Sequence, residues 1–138
     1  MKKLLFTCFI FALLAIITSC SKDKQELMDT AWKIESVKVH ADSIWQYPKI
    51  GVWEDEFMLK FIKRNKYTFV TCSGKVKFST NQKIVFKSES CLGLGGYSEL
   101  SLRCYDIMCS QITHYKLSDN MFILKGDHGE VINFIKAD

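Results

Sequence analysis

The sequence predicts a mainly β fold: a small antiparallel up-and-down β-barrel, or a strongly curled sheet, of about eight strands with little helix. Three observations predict it. Short apolar runs alternate with polar residues at the two-residue period of a half-buried strand. Tight polar turns separate successive runs, which makes neighbours antiparallel. The chain is also short, so a sheet of many strands must dispose of its edges, and closure into a barrel does that best.

The elements follow in order. Residues 23–30 have room for one or two helical turns. Trp32 to Val39 alternates as a first strand. Phe57, Leu59 and Phe61 carry a second, which stops at Lys63-Arg64-Asn65. Tyr67 to Thr71 is the third. Val76 and Phe78 belong to the fourth, which turns at Ser79-Thr80-Asn81-Gln82 into a fifth carrying Ile84 and Phe86. Leu100, Leu102 and Cys104 read as a sixth, with a short helical stretch allowed over 105–111. Tyr115 and Leu117 lie in the seventh, ending at Ser118-Asp119-Asn120. Phe122 and Leu124 carry the eighth, which Gly126-Asp127-His128-Gly129 turns into Val131 to Ile135. Two stretches break the alternation. His40 to Asp55 is a long connection holding Trp45, Tyr47, Pro48 and Trp53, and Ser88 to Gly96 is rich in glycine. Long connections in compact domains are often functional.

The N-terminus carries a different signal. Met1-Lys2-Lys3 is positive, and Leu4 to Ile17 is an apolar run too short to span a bilayer. Ile17-Thr18-Ser19-Cys20 then resembles a bacterial lipobox. That resemblance implies acylation of the Cys20 thiol, cleavage before Cys20 and acylation of the new amine. Two or three acyl chains hold a soluble domain firmly where one does not. The expected organisation is a cleaved signal peptide over 1–19, a lipidated N-terminus and polar tether over 20–26, and a β domain over 27–138. Ser21 after the cysteine favours the outer membrane under the sorting rules of such lipoproteins. The charged "SCSKDK" start is similar to lipoproteins of the Bacteroidetes, many of which reach the cell surface.

Cleavage leaves 119 of the 138 residues, one domain's worth. Lys2 and Lys3 leave with the signal, so 17 basic residues face 15 acidic ones. That near balance gives no nucleic-acid footprint. Four cysteines remain besides Cys20: Cys72, Cys91, Cys104 and Cys109. An exported compartment permits disulfides. Short, local loops favour Cys72–Cys91 and Cys104–Cys109. Zinc is the rival, but no C-x-x-C exists and no histidine stands at ligand spacing from a cysteine pair. Free buried thiols are the third reading.

Catalytic signatures are absent from the sequence. There is no G-x-S-x-G, and His40, His114 and His128 are far apart with no flanking pattern. Gly93-Leu94-Gly95-Gly96 lacks the spacing and the Lys-Ser/Thr of a phosphate loop and reads as a turn. Glu54, Asp55 and Glu56 have the chemistry to bind a cation, yet three adjacent acids also make an ordinary solvated strand entry. The expectation is no catalytic residue, no metal and no cofactor. The aromatic connection is the candidate site. Trp45, Tyr47 and Trp53 either present rings to a sugar or a partner, or fold back and plug one end of the barrel. The cost of exposing three large rings favours the plug.

Leu27-Met28-Asp29-Thr30-Ala31-Trp32-Lys33-Ile34 resembles the opening of META/HslJ-like domains, with Asp29 where those carry glycine. Tyr115 to Leu124, the glycine turn and Val131 to Phe134 are similar to their end, and Thr71-Cys72-Ser73-Gly74-Lys75-Val76 to their middle strand pair. Leu102 to Cys109 keeps a cysteine but departs from the family's Thr-x-x-x-Cys stretch. The strand run is also similar to lipocalin-like lipoproteins. Neither family supplies catalytic residues. The resemblance implies a non-enzymatic envelope lipoprotein, held in the membrane through the lipid on Cys20, whose β domain binds something or supports an assembly. A lipocalin-like binder of a small hydrophobic molecule or glycan is the alternative. An interior filled by Phe57, Phe69, Phe78, Phe86 and Phe122 would count against it. An inhibitor or stress factor acting on another envelope protein is the third reading.

Overall fold

A computed structural model describes residues 22–49, 54–93 and 95–138. Cys20, the segment 1–19 and Trp53 lie outside the described residues. Residues 22–27 are helical (α1). Eight strands follow: β1 (Ala31–Lys38), β2 (Met58–Ile62), β3 (Lys66–Phe69), β4 (Cys72–Ser79), β5 (Lys83–Cys91), β6 (Ile112–Leu117), β7 (Met121–Gly126) and β8 (Val131–Lys136). Each pairs with its successor, and β8 pairs antiparallel with β1, so the sheet closes into an up-and-down barrel. Of the two forms the sequence allowed, the closed barrel is the one found, and closure disposes of the sheet edges.

The two-residue period places one set of side chains inside. Trp32, Tyr67, Phe69, Phe122 and Phe134 are among the largest fully buried side chains. Phe122 is a hub, with ring centroids 5.6 Å from Trp32, 5.5 Å from Phe61 and 5.8 Å from Phe134. Such tilted and edge-on pairs add to what area burial alone contributes. The buried indole N–H of Trp32 donates to Thr30 Oγ1 at 2.8 Å, which explains the Thr-Ala-Trp opening of β1. Asp29 just before it has φ 59°, a left-handed value that glycine, asparagine and aspartate tolerate best.

One strand expectation is overturned. Leu100, Leu102 and Cys104 lie in a helix, α2 (Glu99–Ser110), not in a sixth strand. Ser101, Cys104, Ile107 and Met108 are its buried residues, a three-to-four-residue spacing that sets one helical face against the barrel. The 105–111 helical stretch was therefore the tail of a longer helix. Ser98 caps its start, its side chain accepting from the Ser101 N–H at 3.3 Å. The glycine-rich connection also begins later than the sequence implies, because Ser88 to Cys91 extend β5 along β4.

The cysteines resolve into one bridge and two thiols. Cys72 and Cys91 form a disulfide. They are register partners on adjacent strands, which brings their backbones together before any bond forms. The Cys104–Cys109 pair expected from loop length does not form, and both are free. Five residues apart on α2, they occupy different positions around the helix: Cys104 is buried and Cys109 half-buried.

Candidate functional site

The barrel axis is filled. Phe57, Phe69, Phe86 and Phe122 are buried, and Phe78 is partly buried against the same cluster. The site is therefore sought outside the barrel, where the first long connection meets the start of α2.

The connection is pinned rather than loose. Val37 and Gln46 exchange two backbone hydrogen bonds of 2.8 Å, an isolated antiparallel bridge beside β1. Ser43 Oγ accepts from the Val39 and His40 N–H groups and donates to the His40 carbonyl at 2.8 Å, which closes the turn before it. The bridge fixes where the next residue stands. Tyr47 is 64% exposed, Trp45 40% and Ile44 81%. The described rings therefore do not plug the barrel; they are presented to solvent.

Further along, Glu54–Phe57 form a single 3-10 turn entering β2. The solvated reading of the three acids fails at Glu56. Asp55 is exposed and meets Lys60 at 3.2 Å, whereas Glu56 is only 1% exposed. Glu56 Oε1 accepts from the Ser101 hydroxyl at 2.6 Å and from the Ser98 backbone N–H. It thus seals the positive N-terminus of α2 alongside the Ser98 cap. Burial pushes its pKa up, but the hydrogen bonds from Ser101 and Ser98 outweigh that and hold the carboxyl below its ordinary value. Its second oxygen, Oε2, is buried without a hydrogen-bond partner among the described residues. Such a group calls for an account, since buried acceptors are normally satisfied.

Between these parts lies a cavity of about 340 Å³, walled by the apolar Tyr47, Phe57 and Leu100 and the polar Gln46, Glu56 and Ser98, with Lys49 at its border. An apolar recess with a few convergent polar groups is the usual form of a small-molecule site. The sequence singled out Tyr47 for a site but read Phe57 and Leu100 as strand residues and did not mark Ser98; Ser98 and Leu100 come from an element remote in the chain. The only sequence hint was the acid triplet itself.

The remaining candidates do not converge. His114 Nδ1 stands 2.8 Å from Thr113 Oγ1 on β6, and that hydroxyl donates to Asp127 at 2.8 Å. The threonine proton thus points at the carboxylate, not at the imidazole, and the cluster is exposed. His128 lies in the turn before β8, 3.6 Å from the buried Glu130. Among the described residues no group of three histidine, cysteine or acidic side chains is placed to hold a metal. The thiols sit elsewhere. Burial pushes the Cys104 thiol up to about 12, and Cys109 Sγ lies 3.3 Å from the Tyr67 hydroxyl.

No family model matches the chain, and no curated protein matches it. Among solved structures, the fold is similar to the NMR structure of a protein from Burkholderia xenovorans. The TM-score is 0.58 at 12% identity, over 82% of this chain and 85% of that one. At that identity the likeness is one of fold.

Proposed function

We propose that the chain is a non-enzymatic lipoprotein of the bacterial outer membrane or cell surface, anchored through acyl chains on Cys20, whose barrel carries a binding recess on its outer wall. The recess takes a small hydrophobic molecule or a glycan. The observation that carries this reading is the cavity walled by Tyr47, Phe57 and Leu100, with the polar Gln46, Glu56 and Ser98 also lining it. The filled barrel axis counts against the lipocalin-like alternative, whose ligand would sit in the interior; the recess read here lies outside the barrel. The lipobox spacing supports the anchor, and the left-handed Asp29, at the position where META-like openings carry glycine, supports that resemblance.

The test has two arms. Intact-mass analysis of protein recovered from membranes is expected to show a chain beginning at Cys20 with acyl adducts; an unprocessed, unacylated chain overturns the anchor. Titration of the full chain with a panel of oligosaccharides and short apolar alcohols, followed by tryptophan fluorescence, is expected to find a ligand. Tyr47→Ala should weaken it by about tenfold, the loss of one ring contact. Binding indifferent to Tyr47 sinks the recess. A second reading, a protein partner, is favoured by the exposure of Ile44 beside Trp45 and Tyr47. Pull-down from membranes with and without residues 40–49 separates it from the first.

A further inference from the structure

We propose that the lysine-rich outer face of β2–β5 is a docking surface for an anionic lipid bilayer, whose phosphate headgroups it meets while the tether holds the barrel against the membrane. This rests on the lipid anchor at Cys20.

The register supplies the main argument. Lys66 on β3 is the partner of Lys75 on β4, and Lys75 is the partner of Lys87 on β5. Three exposed lysines thus stand in one row across three neighbouring strands. Like charges directly opposite one another destabilise a sheet. Glu89 offsets part of this, meeting Lys75 at 2.7 Å and attracting Lys66 and Lys87 from further away. One carboxylate against three ammonium groups leaves the row positive. Lys75 and Lys87 line a groove of about 350 Å³ together with Arg64 and Lys77, and neither Arg64 nor Lys77 makes an ion pair among the described residues. A face that only had to stay solvated would be better served by charges of both signs.

Two exposed apolar side chains lie among these cations. Ile62, 42% exposed, is the partner of Lys66, and Val85, 54% exposed, is the partner of Lys77. Cations around modest apolar surface suit the headgroup boundary of a bilayer. A soluble polyanion gives no use to the exposed isoleucine and valine.

The position of the tether commits the surface to a membrane. Lys24 of α1 lines the same groove. α1 is fixed to the barrel: Leu27 is fully buried, and the Tyr115 hydroxyl donates to Asp23 at 3.2 Å. Cys20 precedes Lys24 by four residues, a span that reaches about 14 Å at most. Acyl chains on Cys20 therefore enter the bilayer close to the cationic face. Attraction to an anionic surface fades within a Debye length of about 8 Å at physiological salt, so a tether this short is what lets the face act. Lipid and lysines together would fix the barrel's orientation.

The experiment reconstitutes the full lipidated chain into vesicles of phosphatidylcholine alone and of phosphatidylcholine with phosphatidylglycerol, and follows acetylation of each lysine by mass spectrometry. On the anionic vesicles Lys66, Lys77 and Lys87 are expected to react several-fold more slowly. Lys116 and Lys125, on β6 and β7, should be unchanged, and high salt should remove the protection. A Lys77→Glu, Lys87→Glu variant should lose protection at Lys66 while still floating with neutral vesicles. Equal rates on both vesicles, or equal protection of all lysines, overturns the proposal. So does equal protection by inorganic phosphate on neutral vesicles, which marks a site for the free ion. A chain that fails to float with neutral vesicles shows that the anchor is absent. In that case the cationic face must by itself bring the chain to anionic vesicles only, and failure there overturns the docking surface as well.

Discussion

Gly74 stands where a side chain has no room. A Cβ built there would come within 2.0 Å of the Lys87 carbonyl oxygen and 2.9 Å of the Tyr67 ring. The pairing of β4 with β5 shifts register between Ser73 and Gly74, so the backbones approach closely beside a filled core. Relief requires moving backbone rather than a flexible side-chain tip. Gly74→Ala is therefore expected to cost about 2 kcal/mol or more, read as a lower urea midpoint with an unchanged slope. The sequence marked this glycine only as a link between strands, because the neighbour that crowds it lies on the next strand. Glu56 teaches the same lesson. Beside Glu54 and Asp55 it looks like one more solvated acid, and its burial is decided by Ser98 and Ser101, more than forty positions away.

The start of α2 is the element on which the candidate site turns. Glu56 has a folded pKa below its ordinary value. Such a group contributes stability that is full above the ordinary carboxylate range and is lost as pH falls through the depressed folded value. Unfolding midpoints measured downward from pH 5 should therefore fall more steeply for the wild type than for Glu56→Gln; parallel curves would show that the carboxylate contributes nothing there. The strand elements were legible because alternation is a local property of the chain. α2 was not, because Leu100, Leu102 and Cys104 fit a period of two as readily as Leu100, Cys104, Ile107 and Met108 fit a helix. Ser98 followed by Glu99 was the available signal, a cap and a first-turn acid. The barrel settled the matter: β5 meets β6 directly at Lys83–His114 and the sheet closes without the segment, which packs as a helix beside them.

At the scale of the whole molecule, the barrel has a weak seam. β5 and β6 share the single register pair Lys83–His114, supported by the Tyr115 N–H to Gln82 carbonyl bond of 2.8 Å. α2 spans the chain between them. The Cys72–Cys91 disulfide ties β4 to the end of β5, near that gap, with the Tyr105 hydroxyl of α2 lying 3.3 Å from Cys91 Sγ. With a sequence separation of 19 between its cysteines, the bridge should stabilise the fold by about 3 kcal/mol through the unfolded chain. Urea unfolding with and without reductant is expected to show that difference, and coincident curves would refute it. The sequence by itself determined the mainly β class, the antiparallel order and the aromatic interior, and it favoured the Cys72–Cys91 pair. Each of these follows from side-chain period, turn chemistry and short separations, which neighbouring residues fix among themselves. Only the tertiary structure decided that Trp45 and Tyr47 face solvent, that Cys104 and Cys109 stay apart, that Glu56 is buried and that Lys66, Lys75 and Lys87 form a row. These depend on closure of the sheet and the docking of α2, which bring distant segments together with a register that no local stretch encodes.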